Sequence, residues 1–449
     1  GEHGCSPCNG TFFERPSNDC MGALPALRIR RQMSQMFAKV RPVGSPVPKP
    51  TPVGVLSLPW DEHYSTAFCG SGTQSLSMAV RASINIKGGQ QKPEVIIPAY
   101  GCPDLVAAIV AQNARPVLVD FIDDSPVMDI DALQDAVNER TVAIIAVNFL
   151  GLHERLSALS RFCFAHGLIL IEDSAQCFPP ASSSLGLADF VVLSFGRGKP
   201  INLMGGGALL ARRNRERTVR DLRAQYPLEK LRINIFWHLK RFAFNLLLSR
   251  YSYRSLERIP FLHVGETRFK PLIKIRFWEP PLSLIEAGIR ATHGRVRLHS
   301  RLDQKLAFLE DAGWSLLTGE GSTECPRLRY ALLAPDGESR DRAIAALNSK
   351  GIGASALYRR ILPELDGVPA IELEPPQHYP KASDFAARLL TLPVHEGVKE
   401  KDIETMDILS TPEEEYAVIS KGILKAELVN SIMYILLLVA FLPRLFMYR

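Results

Sequence analysis

Short apolar runs alternate with helical patterns across the first half of the chain, and this alternation restricts the possible folds more than any other feature. Runs such as Glu94–Pro98 and residues 142–149 are rich in β-branched residues and end at turn residues. Strands are predicted at residues 94–98, 116–120, 142–149, 168–171, 190–195 and 204–211. Helices are predicted between the first four of them, at residues 105–112, 130–138 and 156–166. This order predicts a doubly wound, mainly parallel sheet in an α/β fold.

Polar side chains follow two neighbouring strands of this predicted sheet. Asp173 and Gln176 come after the fourth strand, and Ser194 and Lys199 come at or after the end of the fifth. In open α/β sheets, ligands bind outside the carboxyl ends of the strands. A carboxylate and a lysine that meet there match pyridoxal phosphate, which forms a Schiff base with an amine and pairs its pyridine nitrogen with an acid. A helix N-cap and a solvated lysine are the alternative interpretations.

A glycine-rich turn opens the first predicted helix, in the sequence F-C-G-S-G-T-Q-S-L-S-M-A-V-R-A at residues 68–82. Free N–H groups at a helix start, with a hydroxyl beside them, are suited to phosphate. An N-cap at Ser71 or Thr73 without any ligand explains the same residues. The later motif G-R-G-K, followed by Pro200, lacks the spacing of the Walker phosphate loop.

The composition describes a globular protein and argues against a nucleic-acid-binding surface. The 449 residues are 46% hydrophobic and 22% charged, and they are enough for two domains and a large core. The formal net charge of +6 is concentrated locally, at residues 28–31 and 230–276. We therefore expect no general contact with nucleic acid.

The cysteines predict neither a metal site nor disulfides. Cys5 and Cys8 form the only C-x-x-C pair among the eight cysteines, so zinc spacing is absent. The cysteines that lie in or beside apolar runs are Cys69, Cys102, Cys163 and Cys177. This distribution is typical of a reduced cytosolic enzyme. Residues 21–36 are basic but lack the apolar core of a signal peptide, so a cytoplasmic location is expected.

Over residues 67–212 the chain has, in order, G-S-G-T-Q-S-L, E-V-I-I-P-A-Y, P-V-L-V-D, A-V-N-F-L-G, H-G-L-I-L-I-E-D-S-A-Q, L-S-F-G-R-G-K and G-G-G-A-L-L. This set resembles the DegT/StrS-type sugar aminotransferases, which have the aspartate-aminotransferase fold, or fold type I, of pyridoxal-phosphate enzymes. A weaker resemblance returns at Tyr358 and at L-T-L-P-V-H, residues 390–395. The family resemblance implies a homodimer with active sites at its interface. It also implies amino transfer from glutamate or glutamine to a nucleotide-linked keto-sugar, for cell-surface polysaccharide or glycolipid synthesis.

Matched positions imply a role for each site residue. Lys199 would carry the cofactor, Asp173 would bind its pyridine nitrogen, and Gln176 would lie against the ring near its phenolic oxygen. The implied phosphate ligands are Gly72, Thr73 and Ser194. Relatives that dehydrate sugars have histidine in place of this lysine, so the resemblance implies transamination. Tyr358 and His395 would face the substrate, with ordinary packing as the alternative.

The chain departs from the family pattern at two places. Cys102 occupies the position where many relatives stack an aromatic ring on the cofactor, and Tyr100 is the candidate to replace that ring. W-E-P-P, residues 278–281, stands where an Asn-x-Arg segment of the neighbouring subunit usually completes the phosphate site.

The expected organisation has four parts: a disordered extension at residues 1–55, a large cofactor domain at 56–282, a smaller C-terminal α+β domain at 283–410, and an apolar tail at 411–449. In the small domain we expect one long helix, a strand, a second helix and a strand, at residues 285–309, 327–333, 339–350 and 351–358.

Residues 226–278 form a basic and aromatic insertion in the large domain. Residues 235–253 and the tail 428–449 are apolar and flanked by cations, so they are candidates for peripheral membrane contact. Burial of the insertion in the dimer, or over the active site, is the alternative. Two rival functions remain: a pyridoxal-phosphate enzyme for an acyl or lipid-linked amine, and a non-catalytic membrane-associated scaffold of the same fold.

Overall fold

A computed structural model describes residues 38–51, 58–89, 91–178, 185–257, 259, 267–292, 297–317, 326–369, 373 and 375–410. The predicted tail contact at residues 428–449 lies outside this part of the chain. None of the helices described combines the length and the apolar composition that a membrane crossing requires.

A nine-stranded mixed sheet forms the centre of the larger part. Its strands are β1 (Tyr64–Cys69), β2 (Glu94–Pro98), β3 (Arg115–Val119), β4 (Thr141–Val147), β5 (Ile169–Asp173), β6 (Phe190–Ser194), β7 (Gly207–Arg212), β8 (Leu228–Lys230) and β9 (Phe277–Glu279). Their order is β3-β2-β4-β5-β6-β7-β1-β9-β8. The first five in this order run parallel, whereas β7 pairs antiparallel with both β6 and β1. The predicted strands from β2 to β7 are confirmed, each within three residues at its ends. The strands β1, β8 and β9 were not predicted, and β8 and β9 have only three residues each.

Helices cover both faces of this sheet. They are α1 (Gly72–Ile86), α2 (Asp104–Val110), α3 (Ile130–Ala136), α4 (Leu156–His166), α5 (Glu216–Arg223), α6 (Ile235–Leu247), α7 (Arg250–Glu257) and α8 (Leu282–Arg290). Successive residues of β2 alternate between two cores. Val95 and Ile97 pack with α1 and α2, while Ile96 packs with α4 and α8. Burial on both faces explains why these strands are apolar throughout, and the predicted doubly wound α/β fold is confirmed.

A three-stranded antiparallel sheet follows, with strands β10 (Ser315–Leu316), β11 (Arg329–Leu333) and β12 (Leu389–Pro393). Its helices are α9 (Arg297–Leu306), α10 (Gly337–Ser349), α11 (Pro380–Arg388) and α12 (Glu400–Thr405). Two predictions for this part were wrong. The long helix is interrupted, because α8 ends in a tight turn where both the N–H and the hydroxyl of Thr292 bond the carbonyl of Ile289. Residues 351–358 form only an isolated bridge between Ser355 and Thr391, and the backbone turns at either end, where Gly351 and Leu357 have φ near +80° and +55°.

The expected disorder of residues 1–55 is wrong for residues 38–51. Val40 and Val47 are fully buried, and Arg41 is buried with its guanidinium bonded to the carbonyls of Gly44 and Leu248 and to Glu396. This segment also passes over the loop that carries Lys199, since Gly44 contacts Gly198. The buried valines and the bonds of the Arg41 guanidinium order this segment, which its sequence without periodicity did not predict.

Candidate active site

Asp173 and Lys199 line one cavity at the carboxyl ends of β5 and β6. The parallel register places Asp173 opposite Val147 of β4 and Val192 of β6, so these strand ends meet at one edge of the sheet. The other predicted site residues on the same lining are Gly72, Thr73, Cys102, Gln176 and Ser194. The fold thus gathers residues that are more than 120 positions apart in the sequence.

The carboxyl group of Asp173 is held in a desolvated position. Its Oδ1 accepts a hydrogen bond from the N–H of Ala175 at 2.9 Å. Burial raises the pKa of Asp173, while this hydrogen bond and the positive charge of Lys199 act in the opposite direction. A buried carboxylate that is incompletely compensated favours a cationic partner, such as a protonated ring nitrogen.

Gln176 presents a hydrogen-bond donor to the cavity. Its side-chain Oε1 accepts the N–H of Leu150 at 3.1 Å, so the NH₂ group is the end available to a ligand oxygen. Leu150 itself has φ near +58°, in a turn that sequence reasoning did not predict. Behind this turn the buried Asn148 donates to Glu172 and Ser174, both at 2.8 Å. This hydrogen-bonded support holds the two strand ends in place.

Another part of the lining is formed where α1 approaches β6. A Cβ atom at Gly72 would lie 2.6 Å from the Cβ and 2.7 Å from the Oγ of Ser194, so only glycine permits this approach. Ser71 is the N-cap of α1, and its Oγ accepts the N–H of Gln74 at 3.2 Å. The N-cap and the cavity therefore coexist. The N–H of Thr73 belongs to the first turn, whose N–H groups the helix cannot bond internally.

One charged residue of the lining was missed by sequence reasoning. Asp104 opens α2, and its Oδ2 accepts a hydrogen bond from Thr73 Oγ1 at 2.8 Å. An acid directly after the turn that follows β2 was the available signal, because that strand ends at the same edge as β5. Without a structure, an N-cap or first-turn acid is the ordinary explanation of such a residue.

Tyr100 and Tyr358 lie behind the lining. The hydroxyl of Tyr100 donates to the carbonyl of Tyr358 at 2.9 Å, and its fully buried ring packs against Phe121, Phe149 and Phe385. The prediction that Tyr100 replaces a stacked ring is therefore wrong. Tyr358 is buried and hydrogen-bonds through its side chain to Cys102, the residue that faces the cavity.

The Cys102 thiol is not set up as a nucleophile. Burial raises its pKa to about 12, and the charge of Asp104 acts in the same direction. At neutral pH the group is an uncharged thiol that offers a small, soft surface to a ligand.

His395 does not reach this cavity. The N–H of Gly397 donates to its Nδ1 at 3.0 Å, so Nε2 carries the proton and donates to the carbonyl of Arg41 at 2.8 Å. The ring lines a separate cavity together with Ser45, Arg241 and Glu396. The predicted substrate role is wrong for the conformation described, in which His395 anchors the segment 38–51.

Comparison with known proteins agrees with the family resemblance found in the sequence. The sequence model of the DegT/DnrJ/EryC1/StrS aminotransferase family matches residues 61–248 and 290–408. UDP-N-acetyl-3-dehydro-alpha-D-glucosamine 3-aminotransferase of Acidithiobacillus ferrooxidans is 33% identical over 160 residues, which are 34% of this chain and 42% of that protein. dTDP-3-amino-3,4,6-trideoxy-alpha-D-glucose transaminase of Micromonospora megalomicea is 31% identical over 165 residues, 36% of this chain and 43% of that protein. The matches thus span less than half the length of these relatives.

Solved structures share the fold at low sequence identity. NtdA of Bacillus subtilis, solved with bound cofactor PMP, has a TM-score of 0.57 at 17% identity and covers 80% of this chain and 74% of its own. DesI, solved in the presence of its TDP-sugar product, has a TM-score of 0.56 at 18% identity and covers 89% and 91%. The aspartate-aminotransferase-like fold implied by the resemblance is confirmed. The family model also matches more than half of the residues of this chain. The chain therefore belongs to the DegT/DnrJ/EryC1/StrS aminotransferase family.

Proposed function

We propose that this chain is a pyridoxal-phosphate-dependent aminotransferase that moves an amino group from glutamate or glutamine to a nucleotide-linked keto-sugar. The observation that carries the proposal is the meeting of Asp173 and Lys199 on one cavity, whose lining also includes Ser194 and the start of helix α1. The names of the relatives, which act on UDP- and dTDP-linked sugars, support the substrate class.

The residues present fit pyridoxal phosphate. The desolvated carboxyl group of Asp173 suits the ring nitrogen, and the NH₂ group of Gln176 suits the phenolic oxygen. Ser194 and the first turn of α1 provide a hydroxyl and N–H groups for the phosphate. Cys102 and the apolar Phe149 line the cavity beside these groups. When bound, the cofactor supplies a carbonyl that links to amines and a ring that takes up electrons.

Lys199 is the residue assigned to proton transfer. Its half-buried side chain lines the cavity, so its amine would hold the cofactor and, when not bonded to it, would be placed to move a proton at the substrate carbon. Asp173 would keep the ring nitrogen protonated, because burial disfavours its charge and Lys199, the one cation on the described lining, compensates that charge only in part. The roles of the two residues are therefore complementary: one moves a proton and the other holds one.

The proposal includes a homodimer with active sites at the interface. It is supported by the charges of the cavity, since Lys199 is the only cation on the part of the lining that is described. Groups from a second copy would supply what a phosphate and a nucleotide still require. Light scattering after gel filtration should give twice the mass of one chain. We also place the enzyme in the cytoplasm, which is supported by four described cysteines that form no disulfide, Cys69, Cys102, Cys163 and Cys177.

Peripheral membrane contact through residues 235–253 is supported by the exposed face of α6. Its large apolar side chains point to solvent, at Ile235, Phe236, Leu239, Phe242 and Leu246. The helix sequence I-F-W-H-L-K-R-F-A-F-N-L-L contains cations but no acid, which favours an anionic lipid surface. The described chain ends at Ser410, just after α12. Asp402 of α12 bonds Arg250 of α7, so the last described helix contacts the helix that follows α6.

Flotation with vesicles tests the membrane contact. Vesicles of phosphatidylcholine with phosphatidylserine should carry the protein upward, and vesicles of phosphatidylcholine alone should carry less. Phe236→Glu with Phe242→Glu, and deletion of residues 428–449, should each reduce flotation. Flotation unchanged by both, or a dimer that the double variant dissociates, would refute the lipid assignment.

Reductive trapping tests the proposed function. Borohydride treatment followed by peptide mass analysis should find a phosphopyridoxyl group on Lys199, and Lys199→Ala should lose it while Lys230→Ala retains it. A colourless protein that takes up no cofactor would favour the scaffold alternative. With a trapped cofactor, turnover of UDP- or dTDP-linked keto-sugars supports the sugar assignment. Turnover of acyl or lipid-linked amines alone would support the rival enzyme.

A further inference from the structure

Asp104 is the charged residue of the described lining for which the proposed chemistry has no use. Its half-buried carboxylate accepts the hydroxyl proton of Thr73, with 2.8 Å between Oδ2 and Oγ1. Thr73 follows Gly72, the residue that packs on Ser194. Asp104 thus places a negative charge beside the groups that are assigned to the cofactor phosphate.

The hydrogen bond also removes a phosphate ligand. A threonine hydroxyl has one proton, and a proton given to Asp104 is not available to a phosphate oxygen. The hydroxyl oxygen then presents only lone pairs to a second acceptor, with which it cannot form a hydrogen bond. In this arrangement Ser194 and backbone N–H groups hold the phosphate, and Thr73 contributes its N–H only.

The charge of Asp104 extends across the cavity. Burial is the main cause of the raised pKa of Asp173, and Asp104 adds to it while Lys199 opposes it. For Asp173 the charge of Asp104 is the smallest of these causes, whereas for the raised pKa of Cys102 it is second only to burial. Lys199, the single cation on the described lining, is engaged at the other reactive end of the cofactor in the proposed function.

We propose that Asp104 is a specificity-determining residue that weakens the hold of this cavity on a phosphate dianion. The inference rests on the proposed function. Its consequence is that the cofactor is retained mainly through Lys199 and Asp173. When the cofactor carries the amino group it has no covalent bond to Lys199, and it then exchanges readily with solution.

The test compares two aldehydes that differ only in the phosphate. Cofactor-free wild-type protein and the isosteric variant Asp104→Asn are titrated with pyridoxal phosphate and with pyridoxal, and binding is followed by absorbance. The dissociation constant of pyridoxal divided by that of pyridoxal phosphate reports the contribution of the phosphate, and a larger ratio means a stronger contribution. We expect the variant to raise this ratio about tenfold or more, because it removes a like charge beside the phosphate in a partly solvated site. Pyridoxamine phosphate should also survive dialysis longer in the variant.

The variant Thr73→Val provides a second measurement. Its result in the wild-type background does not depend on whether the Asp104 variant folds. In the wild-type background it should change the ratio less than about twofold, because the hydroxyl proton already serves Asp104. In the Asp104→Asn background the same change should lower the ratio several-fold, since the amide can donate its NH₂ to the threonine oxygen and leave the hydroxyl proton to the phosphate.

The outcomes separate the two proposals. Aldehydes bound with an unchanged ratio in Asp104→Asn, or a large loss from Thr73→Val alone, would overturn the role of Asp104 and leave the proposed function standing. Failure of every variant and of the wild type to bind either aldehyde would overturn the proposed function itself.

Discussion

Replacement of Asp173 by asparagine should separate the stability of the fold from its chemistry. The carboxyl group is desolvated in the cofactor-free protein, and burial raises its pKa above that of the unfolded chain. The native state therefore binds more protons than the unfolded state, and this group makes the free energy of unfolding fall as pH rises from about 4. Asparagine removes this contribution while keeping the shape and the acceptor for the N–H of Ala175.

Two results follow for Asp173→Asn. Its melting temperature without cofactor should match or exceed that of the wild type, and the difference should grow as pH rises from 4 to 8. Its rate of amino transfer should fall about 10²–10³-fold, the equivalent of about 3–4 kcal/mol for the loss of one preorganised charged group in a closed site. The stability is measured by scanning calorimetry. The rate is measured from the cofactor absorbance in single turnovers with glutamate or glutamine.

Asp129→Asn is the matched control, because the opposite sign is expected there. Burial would raise the pKa of Asp129, but the N–H of Asp131 and the ammonium of Lys381 together lower it. This variant should lose stability relative to the wild type as pH rises through the acidic range. An Asp173→Asn protein that turns over within a few-fold of wild type would refute the assigned role of the carboxylate. One that melts lower by a margin that widens with pH would refute the desolvation argument.

Three further predictions concern other parts of the structure. Gly72→Ala should destabilise the fold by about 1–3 kcal/mol and weaken pyridoxal phosphate binding, since the new methyl group would lie 2.6 Å from the Cβ of Ser194. Calorimetry measures the stability and titration measures the binding. Gly337→Ala is the control and should be near neutral, because its methyl group would lie 3.4 Å from the carbonyl oxygen of Ala387. His395→Gln should lower stability by about 1–2 kcal/mol through the lost bond to Arg41, yet change the KM for the amino donor less than about twofold; a large change in KM would restore the substrate role. Asn148→Ala should cost about 2–4 kcal/mol, because it leaves the buried Glu172 and Ser174 short of a donor, and denaturant unfolding that shows less than 1 kcal/mol would contradict the supporting role.

Local pattern was sufficient to predict the parallel part of the sheet. Strands β2 to β6 are buried on both faces, so each is a continuous apolar run that stands out from the helices around it. Asp173, Ser194 and Lys199 were found because the carboxyl ends of parallel strands converge on one edge. The same reasoning did not find Asp104, since its contact with Thr73 joins the starts of two helices 31 residues apart.

The sequence by itself determined the α/β class, the positions of the central strands along the chain and the residues able to hold a cofactor, because each of these depends on short-range periodicity or on a strand end. Tertiary structure alone decided which candidates share the cavity. Tyr100 and His395 have the right chemistry, but a buried aromatic cluster takes one and the carbonyl of Arg41 takes the other. It also decided that residues 38–51 are ordered, since a segment without periodicity gains its stability from partners far away in the chain, such as Leu248 and Glu396.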